Sequence, residues 1–73
     1  MTNETLAYIT IIESYYENHP NADNISDAYC LSCLNLNRTS KELNLSNEMI
    51  GIQFVALNEA YQYILETKHG VQP

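Results

Sequence analysis

Lysine and arginine are scarce in this sequence of 73 residues: three in all, against nine Asp and Glu, for a formal charge of -6. Such a chain repels phosphate backbones and anionic lipid surfaces on average, so basic partners are favoured. Two Gly and two Pro leave no Gly-rich phosphate loop, linker or low-complexity tract. With only two His there is no Ser-His-acid or Cys-His constellation with local support, and enzyme activity is not expected. No cofactor is implied. Long apolar runs are missing too. The start, MTNETLAYITII, carries Glu4, has no positive flank and is interrupted at Thr10, so it reads as neither signal peptide nor membrane span. The expectation is a cytoplasmic protein. Four Asn-x-Ser/Thr matches begin at Asn3, Asn24, Asn37 and Asn44, but among nine Asn they carry no weight without a secretion signal.

What is present is a globular composition. Hydrophobic residues make up 45%, and six Tyr with Phe54 argue against a disordered acidic tail. A chain this short buries only about 60% of its unfolded surface, so its stability is marginal unless a metal, disulfides or a second copy adds to the core.

Helical spacing recurs three times and no stretch sustains a period of two, which makes the fold all-α: three main helices plus one short helix in a small bundle. The sequence predicts a single domain with helices at about 4–18, 24–36, 40–44 and 47–69. Thr2 or Asn3 caps the first, and His19-Pro20 ends it, because the residue before Pro is pushed out of the α region. Asn24-x-x-Asp27 resembles a capping box for the second, whose end is weakened by Asn35 and Asn37. Thr39-x-x-Glu42 is a further capping pattern, for the short helix. Asn44 is placed to take the left-handed conformation of a tight turn. Ser46 caps the longest helix, Gly70 closes it, and the tail Val71-Gln72-Pro73 frays.

On the long helix Ile50, Phe54, Leu57, Tyr61, Ile64 and Leu65 form one stripe, the core face. A second apolar stripe holds Met49, Ile52, Ala56, Ala60 and Tyr63, leaving a narrow polar sector of Glu48, Asn58, Glu59, Gln62 and Glu66 around Val55. The second helix is apolar almost all round and reads as buried. The first carries Ile9, Ile12 and Tyr16 on one stripe with Tyr8, Ile11 and Tyr15 beside it. This surplus predicts a homodimer, with Ile52, Ala56, Ala60 and Tyr63 at the interface.

TSKELNLSNEMI, residues 39–50, resembles the middle of a helix-turn-helix, which implies a DNA-binding regulator. The start of its reading helix would present Ser46, Asn47, Glu48, Gly51 and Ile52 to the groove, with only Arg38 and Lys41 nearby, so direct nucleic-acid binding is not expected. Cys30-Leu31-Ser32-Cys33 lies mid-helix beside Asp27 rather than at a helix start, and its only companions for zinc are His19 and His69, in no recognised ligand spacing. These thiols read as two small buried hydrophobes, with no metal. A more productive pattern is acid beside aromatic at the end of the first helix: Glu13, Tyr15, Tyr16, Glu17, Asp23 and Asp27. This combination suits a basic protein partner. The sequence thus points to a small acidic regulator or inhibitor that docks on a basic, nucleic-acid-binding protein, with the helix-turn-helix regulator as the alternative.

Overall fold

The computed structural model describes residues 1–67; the expected Gly70 cap, the last turn toward His69 and the tail lie outside them. Three helices follow one another: α1 (Asn3–Asn18), α2 (Ile25–Glu42) and α3 (Asn47–Thr67). Each begins at a side-chain cap. Thr2 Oγ1 accepts from the Thr5 N–H at 3.2 Å, Asn24 Oδ1 from the Asp27 N–H at 2.8 Å, and Ser46 Oγ from the Met49 N–H at 3.2 Å. One otherwise orphaned amide per helix start is thereby satisfied. The Asp27 carboxylate reaches back to accept from the Asp23 N–H at 3.1 Å, so this acid is committed to holding the α1–α2 connection. At the other side of that connection His19 is extended, as Pro20 demands, and its Nδ1 accepts from the Asn21 N–H at 3.1 Å.

The separate short helix at 40–44 is not formed; α2 continues through it to Glu42. Asn35 and Asn37 have poor helix propensity, but Leu36 between them is buried in the core and Asn35 Oδ1 accepts from Arg38 Nη2 at 2.9 Å. Burial of that turn outweighs a few tenths of a kcal/mol of propensity, roughly the difference between Asn and a good helix former. The Thr39-x-x-Glu42 pattern falls in the last turn of α2, where its amides already have helical partners. Asn44 ends the helix at φ 55, the left-handed position expected of it. Its N–H donates to the Lys41 carbonyl at 3.2 Å, and the Leu45 N–H donates to the Ser40 carbonyl at 3.0 Å, the paired bonds of a Schellman turn.

The core lies where the three helices meet. Ile12, Leu57 and Ile64 are fully buried, joined by Ile9, Ile25, Ala28, Leu36 and Ala60, with Tyr8, Tyr29, Phe54, Tyr61 and Leu65 half-buried around them. The first stripe of the long helix is therefore the core face. The second is divided. Ala56 (4% exposed) and Ala60 (0%) are enclosed within the chain, while Ile52 (49%) and Tyr63 (37%) reach solvent. Gln53, three residues before Ala56, accepts from the Tyr8 hydroxyl at 2.5 Å, which identifies this side of α3 as the one against α1. Small Ala side chains there let the two helices approach, within one chain.

The side of α3 toward α2 is fixed by aromatic contact. Tyr29 stacks on Tyr61 with ring centroids 4.2 Å apart and planes 11° from parallel, and its hydroxyl donates to Asn58 Oδ1. The expectation that α2 is buried all round fails. Ile25 and Leu36 point inward with Tyr29 and Cys33 half-buried, but Cys30 and Leu34 are exposed, Leu34 at 67%. Cys30 and Leu34 are one turn apart on the side away from the core, and no other element among the described residues covers them.

Candidate protein-docking surface

The acid-and-tyrosine cluster of the sequence is parted by the fold. Tyr15 lies about 160° around α1 from both Glu13 and Glu17. It turns into a groove between α1 and α2, where it meets His19 with ring centroids 5.7 Å apart and shares the lining with Asn35 and Arg38. The neighbouring part of this groove, about 550 Å³, runs past Ile11, Ser14 and Asn18. Glu13, Tyr16 and Glu17 occupy the other side of α1, Tyr16 and Glu17 exposed and Glu13 half-buried. Asp23 is exposed, and Asp27 is half-buried with its carboxylate bound to the Asp23 amide. Glu13, Tyr16 and Glu17 therefore share a face, whereas Tyr15 and Asp27 are turned to internal tasks.

A longer acidic face runs down the outside of α3. Glu48, Ile52, Val55, Glu59, Gln62 and Glu66 are all exposed and succeed one another at intervals of four, three, four, three and four residues. That spacing keeps them on one stripe for about 27 Å. Ile52 (49% exposed) and Val55 (59%) put apolar surface in its middle. Two shallow grooves flank them. One, about 420 Å³, lies between the starts of α1 and α3 and includes Glu4, Glu48 and Glu59; the other, about 390 Å³, runs from Val55 past Tyr63 to Glu66. Among the described residues neither is lined by a Lys, Arg or His. In the sequence this stripe read as a narrow polar sector around Val55, with Ile52 assigned to the next stripe. The alternation of three and four was legible there, but which side of α3 its neighbours cover was not.

Electrostatics inside the fold follow from burial. Tyr8 holds its proton above the ordinary tyrosine range, chiefly because it is partly buried and secondly because Glu4 is near. Burial likewise pushes Tyr29 up to about 12, helped by its hydrogen bond with Cys33 and by the neighbouring Cys30 and Tyr61. Both hydroxyls act as neutral donors that tie helices together.

The start of α3, which would be the reading helix, exposes Asn47, Glu48, Gly51 and Ile52, with Glu4 and Glu59 across the adjoining groove. Three carboxylates there oppose a phosphate backbone. Cys30 and Cys33 are free thiols, Cys30 exposed and Cys33 half-buried, so the reading of both as buried hydrophobes holds for neither in full. Among the described residues no three His, Cys, Asp or Glu side chains are grouped to hold a metal ion, and no helix is long and apolar enough to cross a membrane.

No protein-family model matches the chain, and neither a curated protein nor a solved structure matches it. A functional reading therefore rests on the chemistry of its own surface.

Proposed function

We propose that this protein is a small non-enzymatic regulator that docks on a basic surface of another protein, one that itself contacts nucleic acid, and masks that surface. The observation that carries the reading is the outer face of α3, where exposed Ile52 and Val55 sit among Glu48, Glu59 and Glu66 with Glu4 beside them. Carboxylates that stay in water speed and orient an encounter, while desolvated apolar groups slow its dissociation. Glu13, Tyr16 and Glu17 extend the acidic surface on α1 and serve the encounter. Self-association through the same part of α3 would have to use Ile52, Val55 and Tyr63, since Ala56 and Ala60 are enclosed.

The test is displacement. A basic protein recovered with this one from its native cell is loaded on labelled duplex DNA or RNA, and the acidic protein is added. Release of the nucleic acid in proportion to the protein added is the expected result, weakened by Glu59→Lys. Nucleic acid that stays bound at saturating protein would contradict the proposal. Salt-sensitive retention of the protein itself on duplex DNA would favour the helix-turn-helix regulator instead.

A further inference from the structure

The outer stripe of α3 has a register that narrows what can lie on it. Its order is acid, apolar, apolar, acid, amide, acid: Glu48, Ile52, Val55, Glu59, Gln62, Glu66. The intervals of three and four are those along which a second helix can follow a first. A second copy of the chain is a poor occupant. Laid antiparallel about the middle of the stripe, it would set Glu48 against Glu66 and Val55 against Glu59; laid parallel, it would set each Glu against itself. Like charges meet in either arrangement, and one of them also buries an unpaired carboxylate against an apolar group.

A partner of opposite charge resolves every one of these conflicts. We propose that the occupant is a single amphipathic helix of a basic protein, lying along α3 with apolar side chains over Ile52 and Val55 and Lys or Arg reaching Glu48, Glu59 and Glu66. This rests on the proposed function and adds the form of the partner. The grooves on either side, with Glu4 at one and Tyr63 at the other, take the flanks of such a helix. The basic side chains it offers here are those a helix would otherwise offer to phosphates, so docking and nucleic-acid binding exclude each other.

The probe is a synthetic lysine-leucine peptide of about 18 residues, 27 Å long when helical, with Leu at intervals of three and four. Its control has the same composition and charge with the Leu residues scattered around the helix. Fluorescence anisotropy at physiological salt is expected to show the amphipathic peptide binding about tenfold or more tightly than the control, and Ile52→Ser with Val55→Ser is expected to remove that preference. Circular dichroism of the double variant shows that it is folded, and the single variants Ile52→Ala and Val55→Ala, each expected to weaken binding less, serve if it is not. Equal affinity for the two peptides, or a preference that survives both the double and the single variants, would overturn the proposal. So would light scattering that gives twice the chain mass for the unmodified protein and the single mass for the double variant, because the second copy is then the occupant. If a natural basic partner is displaced from nucleic acid but responds only to Glu13→Lys with Glu17→Lys, the helix proposal fails and the proposed function stands. If the peptide binds as expected but no partner is displaced, the reverse holds.

Discussion

At Asn44 a single backbone angle decides how two helices join. Its φ of 55 is costly for most L residues, and Asn lowers the cost because its short polar side chain tolerates the left-handed region. Asn44→Gly should therefore leave the urea midpoint unchanged or raise it, whereas Asn44→Val should lower stability by about 1–2 kcal/mol. Equal midpoints for Gly and Val would mean that the turn is not held in this conformation. Tyr29 makes a pH prediction. Its phenol titrates near 10.0 when unfolded and is pushed up to about 12 when folded, chiefly by burial. Between those values the folded state binds more protons than the unfolded state, so stability present below pH 10 falls as pH rises through that window. Tyr29→Phe should lose about 1 kcal/mol near neutrality with its bond to Asn58, yet show a shallower decline above pH 10. Urea midpoints at pH 8, 10 and 11 check both, and an unaltered alkaline slope would contradict the assignment.

The helices themselves were largely legible because their signals are local. Thr2, Asn24 and Ser46 cap where the sequence placed caps, and Pro20 ends α1 through the constraint on His19. The missed feature was the length of α2. Leu36 was expected on the buried stripe of α2, but a second capping pattern and two Asn suggested a break just after it, and nothing local announced that Ser40, one turn further on, would also be buried with the chain still helical. The same limit explains α2's outer side: Cys30 and Leu34 look like core residues by composition, and they are exposed because no further helix among the described residues lies over them. This distinction is measurable. Leu57→Ala, at a fully buried position, should cost about 2–5 kcal/mol, while Leu34→Ala should stay within about 0.5 kcal/mol. Gly51 sits in α3 with nothing within 4 Å of an added Cβ, so Gly51→Ala should stabilise by about 0.5–1 kcal/mol. Thermal melts of the three variants would show the pattern; a Leu34→Ala loss as large as that of Leu57→Ala would mean that α2's outer side is covered in solution.

For the molecule as a whole, charge was legible from composition and its arrangement was not. The sequence put acid beside aromatic at the end of α1, and Glu13, Tyr16 and Glu17 do share a side there. Tyr15 left that group because it lies about 160° around α1 from both Glu13 and Glu17, a separation that the helical step already implies; that the side it occupies is the one facing α2 is what no count along the chain reveals. The longer face on α3 emerges only once α1 and α2 are seen to cover the other two sides of that helix, turning a polar sector into an exposed stripe of acids around Ile52 and Val55. Under the proposed function this stripe receives a basic partner. Amide chemical-shift mapping of the labelled protein against a basic partner, or against the lysine-leucine peptide, tests it directly. Shifts are expected to concentrate at residues 48–66 on the outer side of α3 and near Glu4, with little change around Tyr15, Asn35 and Arg38; shifts centred instead on that α1–α2 groove would contradict the proposal.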